Sequence, residues 1–159
     1  MAVASVGGAR PRNGANSRPL QIGAVLETAL YVKDLERSVD FYLQVLGLRL
    51  SSEPSERLCA LDVTPDQVLL LFKQGGSAQP TATPFGTIPP TDGSGSLHVA
   101  FAIRPSDFEA WETRLRECGV VIESVVSWPE GGRSMYFRDP DNHAVELKTS
   151  NWHGRAVTG

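Results

Sequence analysis

Three residues, Glu27, His98 and Glu146, have side chains able to bind a divalent cation, and each lies in a stretch of alternating apolar and polar residues. Taken singly they signify little: a strand histidine is usually a satisfied core or surface residue, and the glutamate of Val145-Glu146-Leu147-Lys148 reads as the solvated side of a strand. Their placement in an internal repeat is what points to a metal. Glu27 and His98 open matching segments about 71 residues apart, and Glu146 matches Leu70 near the ends of those segments. Three of four equivalent positions thus hold metal-ligand types and the fourth holds leucine. Three protein ligands with open positions left over characterise a catalytic metal centre. Burying two carboxylates without a cation would cost several kcal/mol or force one to protonate. Tyr31 and Phe72, in phase with these positions, are expected to line a pocket, while Arg133 either meets an anionic group or is a hairpin-edge charge.

The elements that must position these residues follow from periodicity. In the first repeat Glu27, Ala29 and Tyr31 share one face of a strand, with Leu26, Leu30 and Val32 on the other. In the second, His98, Ala100 and Ala102 oppose Val99, Phe101 and Ile103. A helix follows each strand. Asp34 caps the first, Leu35, Val39, Tyr42 and Leu46 form its apolar stripe, and Gly47 ends it. Ser106 and Glu109 suggest a capping box for the second, with Phe108, Trp111, Leu115 and Cys118 as its stripe before Gly119. Strands are then expected over 58–63 and 67–73, and over 120–126, 133–138 and 143–148, with Asp139-Pro140-Asp141-Asn142 as a turn. The small neighbours Ala29, Ala100 and Ala102 leave room for a ligand on the face bearing the candidate metal residues.

The 159 residues suffice for one domain with a real core, and a formal charge of −3 with both signs interspersed excludes a basic stripe for nucleic acid or membrane. No apolar run approaches the roughly 20 residues needed to cross a bilayer. Residues 1–21, small, polar and without acids, read as a disordered tail, and 151–159 as a second tail. The segment 75–96, rich in Gly, Ser, Thr and Pro, reads as an exposed linker between modules at about 25–74 and 97–150. Cys59 and Cys118 are expected as reduced core residues of a cytoplasmic protein. A homodimer is expected, with Leu48, Leu50, Trp128 and Trp152 as candidate contacts.

Glu27-Thr-Ala-Leu-Tyr-Val-Lys-Asp-Leu-Glu-Arg-Ser-Val-Asp-Phe-Tyr, continuing to Val45-Leu46-Gly47-Leu48, resembles the opening of vicinal oxygen chelate proteins, and His98-Val-Ala-Phe and Tyr136-Phe-Arg-Asp-Pro-Asp-Asn-His-Ala-Val-Glu-Leu resemble their second module. The resemblance covers about 25–150. It implies an α+β fold of two βαβββ modules forming a cupped mixed sheet, with Glu27, His98 and Glu146 at metal-ligand positions for Zn, Ni, Mn or Fe. It also implies a lyase or isomerase in which the ion chelates substrate oxygens and stabilises an enediolate-like anion, Glu146 or Glu27 moving the proton. An Fe(II) extradiol dioxygenase and a metal-free drug-binding protein of the bleomycin-resistance kind are the alternatives. The chain departs from the family in having Glu27 where histidine is common and Leu70 where glyoxalase I has a fourth ligand. Tyr31 stands where bacterial glyoxalases carry a glutathione-binding arginine, which argues against glutathione as co-substrate.

Overall fold

Two copies of one strand order build the protein. The computed structural model describes residues 19–129 and 131–149. In the first module, β1 (Glu27–Val32) is followed by α1 (Leu35–Leu46), β2 (Arg49–Leu50), β3 (Leu58–Thr64) and β4 (Gln67–Lys73). In the second, β7 (His98–Ala102) is followed by α2 (Phe108–Glu117), β8 (Ser124–Ser127), β9 (Arg133–Arg138) and β10 (Ala144–Lys148). Each module is a four-stranded mixed sheet, ordered β1-β4-β3-β2 and β7-β10-β9-β8, whose first and last strands run parallel. The linker is not all loop: a small hairpin, β5 (Thr81–Thr83) and β6 (Gly86–Ile88), lies within it.

Alternation decides which face of each sheet is buried. Leu30, Val32, Cys59, Leu61, Leu69 and Leu71 of the first sheet, and Val99, Met135, Phe137, Val145 and Leu147 of the second, enter a shared core with Val39, Tyr42, Val45, Leu46, Phe108 and Leu115 from the helices. The opposite faces, those of Glu27 and His98, remain open. Asp34 accepts from the Arg37 amide at 3.1 Å, and Gly47 takes the left-handed conformation at φ 70° that ends α1.

A buried polar junction ties the modules together. Tyr42 donates to Asp139 at 3.0 Å, Ser38 donates to Asp141 at 3.0 Å, and Asp139 accepts the amides of Asp141 and His143. His143, fully buried, accepts the Leu97 amide on Nδ1 and therefore donates from Nε2 to the Tyr31 carbonyl at 3.0 Å.

Several expectations need correction. Ser106 bonds Asp107 rather than closing a capping box, because a 3-10 turn over Pro105–Asp107 leads into α2, and Glu109 is drawn away to Arg133. The strand expected from Val120 begins at Ser124, since Val120 still donates to the Leu115 carbonyl at the helix end. Cys118 is exposed rather than in the core, though both cysteines are free.

Candidate active site

His98 and Glu146 meet on the open face of the second module. The parallel register sets Ala144 beside His98 and Ala100 beside Glu146, so the two side chains are diagonal neighbours across adjacent strands. His98 Nε2 lies 3.3 Å from Glu146 Oε2. Glu146 is 5% exposed, whereas the His98 side chain is 53% exposed. His98 Nδ1 is 3.0 Å from the Ala144 carbonyl, which can only accept, so Nδ1 carries the proton and Nε2 carries the lone pair in the neutral ring. Two lone-pair atoms facing each other at this distance need a cation between them or a second proton on the imidazole.

Glu146 is oriented from behind. Ser134 donates to Oε1 at 2.5 Å and itself accepts from the Trp128 indole at 2.7 Å. Tyr136, opposite Glu146 on β9, also bonds this carboxylate; burial and then that bond raise its phenol above the usual value, so it stays a donor. Lys148 lies over the Trp128 ring at 4.3 Å. These bonds keep Glu146 Oε2 aimed at His98.

The first module presents Glu27, Ala29 and Tyr31 on its open face, as the alternation anticipates. Tyr31 and Phe72 are cross-strand partners whose rings stack at 5.7 Å. Glu27 is exposed and shares a cleft of about 330 Å³ with His98, lined also by Val25, Val68 and Phe101. It does not join His98 and Glu146: among the described residues no group of three His, Cys, Asp or Glu side chains is placed to hold a metal.

Arg133 lies off the site, on the helix-facing side of β9 with Met135 and Phe137. It donates to Glu109 at 2.6 Å and rests 3.8 Å above the Phe108 ring, contacts that favour the hairpin-edge charge of the two readings the sequence left open. Trp128, one of the candidate dimer contacts, donates its indole N–H to Ser134; Leu50 is exposed, and Trp152 lies outside the described residues. Sequence reasoning missed Ser134 and Tyr136. The alternation of 133–138 carried the signal, because it puts both on the face of Glu146 once β9 and β10 pair.

Residues 24–147 match the family model described as the Glyoxalase/Bleomycin resistance protein/Dioxygenase superfamily. The chain belongs to this superfamily. It is 30% identical over 129 residues to a glutathione transferase, FosA, of Serratia marcescens, covering 79% of this chain and 80% of that protein. A metallothiol transferase, FosB, of Staphylococcus epidermidis is 28% identical over 140 residues, covering 86% of this chain and 88% of its own length. The crystal structure of lactoylglutathione lyase from Agrobacterium tumefaciens superposes with a TM-score of 0.72 at 31% identity, covering 80% of this chain and 93% of that one. Superfamily membership and the two-module sheet agree with the resemblance carried by the sequence motifs. The coarse class these relatives support is a metal-dependent, glyoxalase-like enzyme acting on small molecules. No helix among the described residues is long and apolar enough to cross a membrane.

Proposed function

We propose that the protein is a metal-dependent lyase or isomerase whose substrate is held through two vicinal oxygens, with His98, Glu146 and Glu27 as the ligand set. The observation that carries this reading is the facing pair His98 Nε2 and Glu146 Oε2 at 3.3 Å, one imidazole nitrogen and one carboxylate oxygen with their other atoms already committed. An imidazole–carboxylate donor set suits Zn, Ni, Mn or Fe. The bound ion supplies Lewis acidity toward substrate oxygens. Ser134 and Tyr136 hold the Glu146 carboxylate in place, and Trp128 holds Ser134. Glu27, exposed and without the support that holds Glu146, is the ligand that would leave the ion to accept the substrate's proton in this reading.

Glu27 stands apart from the pair within one chain, and both open sheet faces await a cover. The proposed assembly is therefore a homodimer in which Glu27 of one copy completes the His98–Glu146 pair of the other. Complementation tests it. Glu27→Gln and His98→Ala chains, each metal-poor alone, are co-expressed with different tags and the heterodimer purified. A cross-chain site predicts that the heterodimer regains one intact site of its two, with one bound metal per dimer and half the wild-type activity. A site confined to one chain predicts no recovery, since every chain then carries one lesion, and that result contradicts the assembly.

A further inference from the structure

The register of the first sheet divides its open face into three cross-strand rows. Asp62, Val68 and Glu27 form one, Ala60, Leu70 and Ala29 the next, and Leu58, Phe72 and Tyr31 the third. Successive rows are two residues, or about 6.6 Å, apart. The middle row is low, one leucine between two alanines, so a shallow floor separates the carboxylate row from an aromatic wall about 13 Å away. The repeat-equivalent rows of the second module hold Tyr136, Glu146 and Ala100, then Ser134, Lys148 and Ala102. The open face of the second module is thus polar where that of the first, beyond its carboxylate row, is apolar.

The wall is held on both sides. Gly93 of the linker packs against Tyr31: a Cβ there would sit 2.8 Å from Cδ2 and 2.9 Å from Cε2 of the ring, so a larger residue would have to displace the ring. That stretch is pinned by the Asp92 carboxylate, which accepts the Gly75 amide at 3.0 and 3.1 Å, and by the Thr91 amide donating to Ser77. The Tyr31 carbonyl is fixed as well, accepting from Gln74 and from buried His143. A wall already ordered costs little conformational entropy when a ligand packs on it.

We infer that the substrate is amphipathic, with two adjacent oxygens at one end and a flat apolar group, aromatic or conjugated, at the other, received on the Ala60–Leu70–Ala29 floor against Tyr31 and Phe72. This rests on the proposed metal site. A short aliphatic chelator covers only the floor; a ring carries apolar surface on to the wall.

Acetohydroxamate and benzohydroxamate test it, since they offer the same pair of chelating oxygens and differ in methyl against phenyl. Each is titrated into full-length protein loaded with a divalent metal, and the ratio of affinities is divided by their ratio for the free ion. The expected corrected preference for the phenyl compound is at least tenfold, about 1.4 kcal/mol. Phe72→Leu and Gly93→Ala should reduce it to threefold or less while metal content and acetohydroxamate affinity stay within twofold. Metal-dependent binding of both compounds with equal corrected affinity overturns the inference and leaves the metal site standing. If neither compound binds in a metal-dependent way, the metal site is overturned and the inference with it. The wild-type comparison decides the matter even if a variant folds poorly.

Discussion

Replacing Ser134 by alanine removes the hydroxyl that joins Trp128 to Glu146. Its bond to the Glu146 carboxylate is 2.5 Å, on a residue only 5% exposed, so no water readily takes its place. A hydrogen bond to a charged group contributes about 1.5–3 kcal/mol, and the Trp128 indole, half-buried, recovers part of its own loss from solvent. A net destabilisation of about 2 kcal/mol lowers the metal-free melting temperature by about 4–8 °C for a domain of this size. Loss of the group that orients a ligand also weakens metal binding, typically 10–100-fold. At a fixed excess of metal ion, linkage then adds about 1.4–2.7 kcal/mol to the stability gap between wild type and variant. Thermal melts with and without the ion, paired with calorimetric metal titration, separate the two effects. A metal affinity within twofold of wild type, or a stability gap that does not widen when the ion is added, refutes the account of Ser134.

Asp139 gives a pH signature: burial raises its carboxyl above the usual 3.8, so the folded state holds a proton that the unfolded state releases first, and this contribution to stability is lost as pH rises through the raised value. Denaturant titrations from pH 4 upward should therefore show wild type losing stability relative to Asp139→Asn, and a gain or a flat difference contradicts the assignment. Arg133→Gln removes an exposed ion pair with Glu109 and a contact with Phe108, so stability should fall by about 1 kcal/mol or less with metal content unchanged, as urea midpoints and elemental analysis will check. Deleting residues 1–20 should leave the melting temperature within about 2 °C, since Leu20 is fully exposed; a larger drop would show that the segment docks.

The strands and helices were legible because each obeys one period throughout. The expected spans 67–73 and 133–138 coincide with β4 and β9, and Asp34 and Gly47 bound α1 as their chemistry requires. The short strand β2 and the β5–β6 hairpin were not, because two or three residues cannot display a period. The repeat located His98 and Glu146 on one face, but strand pairing was needed to show that they touch. Glu27 is on its expected face too, yet which residues face it depends on how the modules, and copies of the chain, are arranged, and no local pattern encodes that. Arg133 was ambiguous in the sequence because it is the first residue of its strand, next to the turn at Gly131 and Gly132, where a long side chain can serve either face. The phase of 143–148 puts His143 on the buried side with Val145 and Leu147, but does not reveal its partners, backbone groups of Leu97 and Tyr31 more than 40 and 110 positions away.

Metal titration of the demetallated wild-type protein and of His98→Ala, followed by calorimetry and by elemental analysis after dialysis, tests the central claim most directly. The account predicts one divalent ion per chain in the wild type and an affinity at least tenfold weaker in the variant, because an imidazole nitrogen is one of few protein ligands available to share the loss. Equal stoichiometry and affinity in the two proteins would contradict it.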